Sequence, residues 1–328
     1  MSKELLFEIG TEEIPAGFLS KAVIDMEEIS KKLLAENRIA CSGIKCLATP
    51  RRLVLYIADL AGKQEYQTIE KIGPAKKAAF DENGKPTKAA LGFARGLGID
   101  PSELQIITTE KGEYVGARRE VSGRPTEELL PEILKSLAFS VPFRKSMRWS
   151  DYDLRFARPI HWFLAIYGGK VIPLQMENVT AGNESYGHRF MSPASFSASN
   201  FNDYLEKARK NYIIADHEER KKTILNEAQK AAAQAGGNLY YTEELLETVT
   251  FLVEYPVIIQ GGFDEKYLKI PKEVIVTTMI SHQKYFPVTN EKGKLLPCFI
   301  AVSNTKPRDE SVVARGNERV LRARLADA

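Results

Sequence analysis

The beginning of the chain combines an apolar run, two adjacent carboxylates and a proline. Residues 3–9 have the composition of a β-strand, and Pro15 suits the first turn of a helix whose apolar positions recur as far as Leu33. Glu12 and Glu13 lie just ahead of that helix, where carboxylates favour its positive end. Binding of magnesium or an amine is the alternative for this pair. The chain is therefore predicted to open with a strand followed by an amphipathic helix.

Turn, cap and periodicity signals predict an alternation of hairpins and helices along the rest of the chain. The predicted elements are strands within 44–60, a turn at 81–86, a short helix ending at Leu97, a hairpin of 104–109 and 113–121, a helix from Pro125 to about Phe139, a hairpin of 160–167 and 170–176, a helix from Asp216 to Ala235, helices near 242–253 and 271–283, and strands at 257–260, 284–288 and 295–302. This order lacks a regular βαβα rhythm, so it predicts an α+β fold with mixed or antiparallel sheets and packed helices.

Composition limits the class of protein. The chain has 328 residues, 44% of them apolar, which predicts two or three globular domains. The 46 basic and 43 acidic residues leave a net charge of only +3, so any surface for nucleic acid must be local. The three cysteines fit neither a disulfide framework nor a usual zinc pattern. No signal sequence or apolar run of about 18 residues is present, so we expect a cytoplasmic protein with reduced thiols.

The sequence lacks the glycine-rich motifs that cradle nucleotide phosphates, so no ATP site is predicted in this chain. His217 and Glu218 do not form a zinc motif, because position 221 is Lys221, and with four histidines no metal site is expected. His282 could serve as a general base, but no serine or cysteine nucleophile with an orienting acid accompanies it. A structural role for His282 is therefore the alternative.

A segment at 142–163 interleaves basic and aromatic side chains and contains both tryptophans. Such a mixture suits contact with phosphates and stacking on unpaired bases. The alternative is that its rings belong to a core and its cations to a solvated face. The basic residues are Arg144, Lys145, Arg148, Arg155 and Arg158, and the rings in question are Trp149, Phe156 and Trp162.

Three short basic groups occur elsewhere. Arg51 and Arg52 follow Thr49-Pro50, so they should occupy a strand edge or turn and face solvent. His188 and Arg189 form a second pair beside turn residues. For both pairs, structural salt bridges are the alternative to RNA contact. The third group, Arg319 and Arg322, shares one helix face and could contact phosphate or pack on another domain.

Six motifs in order along the chain carry a resemblance to a known family. They are Glu4–Phe18, Ala48-Thr-Pro-Arg-Arg-Leu53, Ala157-Arg-Pro-Ile-His-Trp162, Ser185-Tyr-Gly-His-Arg-Phe-Met191, Ser281-His-Gln-Lys-Tyr-Phe-Pro287 and Gly316-Asn-Glu-Arg-Val-Leu-Arg-Ala-Arg-Leu-Ala-Asp-Ala328. The chain closely resembles the amino-terminal part of the bacterial glycyl-tRNA synthetase beta subunit. Family members are about twice as long and continue into an HD-type domain and an anticodon-binding domain, so the resemblance implies an amino-terminal fragment.

The resemblance implies a division of the chain into segments. These are an α+β region at 1–140, an α+β region at 141–315 similar to the editing-type domain of phenylalanyl-tRNA synthetase beta subunits, with a possible boundary at 192–202, and the start of a truncated helical domain at 316–328. It also implies a subunit that recognises the tRNA acceptor arm and assembles with a catalytic alpha subunit as a two-alpha, two-beta heterotetramer. ATP and Mg²⁺ are then expected at the alpha subunit, and the fragment alone is not expected to be catalytic.

The basic groups above become candidate contacts for tRNA-Gly. They are Arg51, Arg52, Arg144, Lys145, Arg148, Arg155, Arg158, His188, Arg189, His282, Lys284, Arg319 and Arg322. Two other functions stay open. One is hydrolytic editing of mischarged tRNA, although no amino acid is smaller than glycine and larger ones can be excluded sterically. The other is a structural scaffold for subunit association.

Overall fold

Strands and helices alternate irregularly through the chain, as the sequence predicts. The computed structural model describes residues 2–151 and 153–327. The strands are β1 (Lys3–Thr11), β2 (Cys41–Thr49), β3 (Arg52–Leu60), β4 (Gln67–Ala75), β5 (Gln105–Thr109), β6 (Gly112–Val121), β7 (Ile160–Tyr167), β8 (Lys170–Val171), β9 (Gln175–Met176), β10 (Val179–Gly182), β11 (Glu184–Tyr186), β12 (Ser195–Ser197), β13 (Asn238–Leu239), β14 (Val257–Gly262), β15 (Phe286–Thr289) and β16 (Leu295–Ser303).

The helices complete an α+β fold. They are α1 (Ala16–Glu36), α2 (Lys76–Ala79), α3 (Lys88–Leu97), α4 (Thr126–Ser140), α5 (Phe201–Lys210), α6 (His217–Gln234), α7 (Glu243–Thr250), α8 (Lys272–Thr277) and α9 (Glu310–Ala326). Short 3-10 helices occupy Pro101–Glu103 and Glu265–Lys269, and a π-helical turn occupies Thr278–Gln283. The predicted α+β class is confirmed, whereas the similarity to an editing-type domain stays a prediction.

The opening strand lies inside the largest sheet. The strand order is β2-β3-β1-β7-β10-β9, with β8 beside β7, and the pairs are antiparallel except for β10 with β7. Because successive side chains of a strand point to opposite faces, Leu5 and Phe7 enter a core with α1 and α4. Leu6 enters a second core, to which α5 contributes Tyr204. Both faces of β1 are therefore covered.

A second antiparallel sheet follows in the order β13-β15-β16-β14. Helices α6 and α7 pack on one face of it, around Phe286 and Ile300. The π-helical turn and α9 pack on the other face, around Phe299. This sheet is thus also enclosed by helices on both sides.

Arg220 joins the second sheet's helices to the first sheet. Its side chain is fully buried and donates Nη2 to the carbonyl oxygen of Ala48 at 2.7 Å and Nε to that of Thr250 at 2.9 Å. Burial lowers the pKa of Arg220 to about 10. These carbonyl partners make Arg220 a structural residue that fastens α6 to the end of β2.

Residues Lys63–Thr126 form a compact unit of their own. The unit contains the antiparallel sheet β4-β6-β5, and its small core includes Ala79, Ala90 and Val115. The two ends of the unit lie together, since a β-bridge joins Lys63 to Pro125. The bounds of this compact unit, Lys63 and Thr126, are not the predicted boundaries at 140 and 315, which stay predictions.

Within residues 2–151 and 153–327, no helix is both long and apolar enough to cross a membrane.

Candidate functional site

A pocket of about 350 Å³ opens where three of the sequence motifs meet. We call it the Trp162 pocket. It lies between the turn that joins β2 to β3, the start of β7 and the segment after β11. Its volume falls within the range of small-ligand sites, about 300–1,000 Å³. The lining residues are Arg51, His161, Trp162, Tyr186, Gly187, Arg189 and Pro193.

The buried carboxylate of Glu8 fixes the indole of Trp162. The indole Nε1 and the hydroxyl of Ser185 both donate to Oε1 of Glu8, the latter at 2.6 Å, and the hydroxyl of Tyr204 donates to Oε2. Glu8 is fully buried, so these donors replace the water that a carboxylate requires. The Glu8 carboxyl group, which lies between buried apolar residues of β1, therefore positions an aromatic ring.

Close packing against the main chain also holds this indole. Gly10 of β1 lies opposite Trp162 of β7 in the strand register. A Cβ atom at position 10 would lie 1.9 Å from Cε2 of Trp162. Only glycine leaves room for the ring at this position.

Arg52 is completely buried, so the expectation that it faces solvent is wrong. Its Nε donates to Oε1 of Glu254 at 2.9 Å, and the Thr49 hydroxyl donates to the same oxygen at 2.7 Å. Burial alone raises the pKa of Glu254, but Arg52 and the Thr49 hydrogen bond outweigh it and hold this pKa below its ordinary value. Arg52 is a structural ion-pair partner and is not accessible to RNA.

Arg51, in contrast, lines the Trp162 pocket. Its guanidinium carbon lies 5.6 Å from the centroid of the Trp162 ring. Its Nε is buried without a hydrogen-bond partner, and no salt bridge joins it to any residue that the structure describes. Burial lowers the pKa of Arg51, as expected for a partly desolvated cation. Arg51 is therefore the lining cation available to an anionic ligand.

Arg189, the other lining arginine, is already paired. Its Nη1 lies 3.0 Å from Oε2 of Glu12 and 2.9 Å from Oε1 of Glu13, and these two carboxylates raise its pKa. Nε2 of His161 lies 3.0 Å from Oε1 of Glu12. Glu12 and Glu13 lie ahead of the first turn of α1, which contains no acidic residue. Their side chains contact Arg189 and His161.

His188 shapes the loop beside the pocket from a fully buried position. Its Nδ1 accepts hydrogen bonds from the backbone N–H groups of Phe190 and Met191, both at 3.3 Å. Its Nε2 has no partner among the described residues. This loop presents Phe190, which is 71% exposed. The buried imidazole is inaccessible to RNA in this conformation, whereas the neighbouring phenyl ring is exposed.

The basic and aromatic segment at 142–163 divides into a buried and an exposed part. Phe156 and Trp162 belong to the core, as the structural alternative holds, and Trp149 is half-buried. Arg158 donates Nε to the carbonyl oxygen of Glu13 at 3.0 Å. The remaining cations of the segment are exposed: Arg144, Lys145, Arg148 and Arg155. Nη1 of Arg148 lies 3.2 Å from Oδ1 of Asp153.

The last four candidates lie in other parts of the fold. His282 is exposed in the π-helical turn, and Lys284 follows it with a positive φ of 59°. Arg319 and Arg322 line a separate groove of about 610 Å³ with Arg315. None of these residues lines the Trp162 pocket. Within the described parts of the chain, no group of three or more His, Cys, Asp and Glu side chains could hold a metal ion.

Sequence reasoning did not identify several residues that form or support the Trp162 pocket. Glu8 was detectable in principle, because it is a charged residue amid the apolar positions of a strand. Tyr186 and Ser185 lie within one of the motifs above but received no role there. Nothing in the local pattern shows that Glu254 meets Arg52, since 202 residues separate them.

Comparison with known proteins decides the family. The sequence model of the family described as glycyl-tRNA synthetase beta subunit matches residues 5–328. The chain belongs to this family. The resemblance carried by the six motifs is thereby confirmed.

Proteins named glycine–tRNA ligase beta subunit match the chain along its whole length. That of Syntrophus aciditrophicus is 56% identical over 328 residues, and those of Trichlorobacter lovleyi and Geobacter sulfurreducens are each 52% identical over 328 residues. In each case the match covers 100% of this chain and 48% of the relative. The chain thus spans about half the length of these beta subunits.

Proposed function

We propose that this chain is the part of a glycine–tRNA ligase beta subunit that contacts the acceptor arm of tRNA-Gly. In this proposal a separate alpha subunit binds ATP and Mg²⁺ and performs glycine activation and transfer. Two alpha and two beta subunits assemble into the enzyme. Family membership supports the proposal. The observation that carries RNA contact is the Trp162 pocket, where Arg51 lies beside aromatic rings without an ion pair to a described residue.

The chemistry of the pocket suits RNA better than a protein partner. Arg51 offers a charge for a phosphate, and Tyr186 is 39% exposed and offers a ring for an unpaired base. Arg158 lies next to this site, because it donates to the backbone carbonyl of Glu13 and the Glu13 carboxylate pairs with Arg189. A local basic surface of this kind is what a chain of net charge +3 requires for RNA binding.

The test is binding of a tRNA-Gly acceptor minihelix to the 328-residue chain across a salt series. We expect affinity to fall as salt rises, because phosphate contacts release counterions. Arg51→Gln should weaken binding, and joint replacement of Arg144, Lys145 and Arg155 by glutamine should flatten the salt dependence. Lys230→Gln is the matched control, because Lys230 is an exposed cation paired with Glu227 on α6. Absence of binding by a folded chain would contradict the proposal.

The two alternatives give different results in related assays. Editing predicts that the chain deacylates mischarged tRNA and that His282→Ala abolishes this activity. A scaffold predicts association with the alpha subunit without any contribution of the chain to RNA affinity. Mixing the chain with the alpha subunit and measuring both the mass of the complex and its RNA affinity separates the scaffold from the RNA-binding function.

A further inference from the structure

We propose that the Trp162 pocket receives a single unpaired nucleotide of RNA, with its base against Tyr186 and its phosphate on Arg51. This inference rests on the proposed function and names the ligand of the same site. The pocket volume of about 350 Å³ lies near the lower end of the range for small-ligand sites, about 300–1,000 Å³. A double helix does not fit such a space, whereas one flipped-out nucleotide is of the right class.

Ring faces are available at the mouth of the pocket. Tyr186 is 39% exposed, and its ring centroid lies 5.0 Å from that of Trp162 at an angle of 57°. Trp162 itself is only 6% exposed, and both Arg51 and Arg52 lie over its ring. Tyr186 is therefore the ring on which a base stacks, and Trp162 forms the inner wall.

The charge distribution favours one phosphate. Glu12 and Glu13 already neutralise Arg189, so Arg51 is the lining arginine without an ion pair to a described residue. The Nε of Arg51 is buried and unpartnered within the described chain, so this cation is only partly solvated. A phosphate that reaches the accessible part of the Arg51 side chain supplies the missing countercharge.

The site is held in place before any ligand arrives. The backbone N–H of Arg51 donates to the hydroxyl of Thr49 at 3.2 Å, and that hydroxyl donates to Glu254. Glu8 fixes Trp162 from the opposite side. Because these contacts are buried, little ordering remains to be done when a nucleotide binds. The pocket is therefore suited to a ligand as small as one nucleotide.

Fluorescence of Trp162 provides the test. The chain contains two tryptophans, so Trp149→Phe leaves Trp162 as the only indole. We expect nucleoside 5′-monophosphates to change its emission, whereas ribose 5-phosphate and the free nucleoside bind more weakly. Arg51→Gln and Tyr186→Ala should each lower the affinity about tenfold or more, because each removes a charged hydrogen bond or a stacking partner.

Three comparisons make the outcome decisive. Tyr186→Phe should keep the affinity, because it keeps the ring, and Lys230→Gln, which changes an exposed cation on α6, should leave it unchanged. Single-stranded RNA should displace the monophosphate, whereas a blunt RNA duplex should not. If tRNA-Gly binds in an Arg51-dependent way but monophosphates neither bind nor are displaced by single-stranded RNA, the inference is overturned and the proposed function stands. If neither tRNA-Gly nor monophosphates bind, both fail.

Discussion

The Nε of Arg52 donates a hydrogen bond to Oε1 of Glu254 at 2.9 Å, and both side chains are almost completely buried. Arg52 begins β3 of the first sheet, and Glu254 lies just ahead of β14 in the second sheet. One ion pair thus connects two sheets beneath the Trp162 pocket. Exposed salt bridges usually contribute little to the free energy of unfolding. When an ion pair is buried, removal of either partner leaves the other charge uncompensated in the interior.

Removing one member of this pair should therefore be costly. Glu254→Gln leaves the Arg52 guanidinium buried without its ion-pair partner, so we expect a loss of about 3–5 kcal/mol in the free energy of unfolding. Urea denaturation measures this loss. Lys230→Ala, which breaks an exposed pair with Glu227, should cost at most about 1 kcal/mol. Equal losses in the two variants would mean that burial does not increase the cost of breaking the Arg52–Glu254 pair.

Stability should also fall in acid because of Glu254. Its pKa is lower in the folded chain than its ordinary value of 4.5, so the unfolded state binds more protons as the pH falls past 4.5. The stabilisation is complete above that pH and is lost as the pH drops through the folded pKa. Urea midpoints between about pH 6 and pH 3 should decline less steeply in Glu254→Gln than in the unchanged chain. If the urea midpoints of the two proteins decline in parallel, the loss of stability in acid is due to groups other than Glu254.

Gly10→Ala should disturb the Trp162 pocket from behind. The added methyl group would lie 1.9 Å from the indole, so Trp162 must move and lose its bond to Glu8. We expect a loss of about 1–3 kcal/mol, as for other overpacked sites. Gly17→Ala is the matched control, because nothing lies within 4 Å of its Cβ in α1, and it should stabilise the helix by about 0.5–1 kcal/mol. Thermal unfolding of the two variants should shift in opposite directions.

The three thiols should differ in reactivity. Burial raises the pKa of Cys46 to about 12, and only 5% of this residue is exposed. Cys41 and Cys298 are half-buried, and burial raises the pKa of each thiol less strongly. At pH 8 a thiol reagent should therefore label Cys41 and Cys298 before Cys46, and mass spectrometry of the labelled peptides reads the order. In urea the three rates should become similar.

Much of the secondary structure could be predicted because its signals are local. Asp216 accepts hydrogen bonds from the N–H groups of Glu218 and Glu219, as its predicted role at the start of α6 requires. Gly168 adopts the positive φ of 55° that the turn after β7 needs. Helix α5 (Phe201–Lys210) was missed, since the segment's serine and asparagine content pointed to a boundary. Such cap residues also begin helices.

The candidate site could be predicted only in part, for a physical reason. Arg51 and Arg189 are identified by their chemistry, but an arginine's burial depends on partners that are distant in sequence. Thr49-Pro50 indicated a strand edge or turn, which made solvent exposure the expectation for Arg52. Its partner Glu254 and the positioning residue Glu8 come from strands and loops whose neighbours are fixed by tertiary pairing. Whether any of these residues touches tRNA stays a prediction.

The sheet order determines when β1 can complete its strand pairing during synthesis. β1 leaves the ribosome before both of its neighbours and can pair with β3 soon after β3 emerges, but its other neighbour is β7, in which Tyr167 pairs with Leu5. One edge of β1 therefore stays open while the whole of Lys63–Thr126 and α4 are translated. Open strand edges invite pairing with other chains. The nascent protein thus has a period of vulnerability that ends only when β7 emerges.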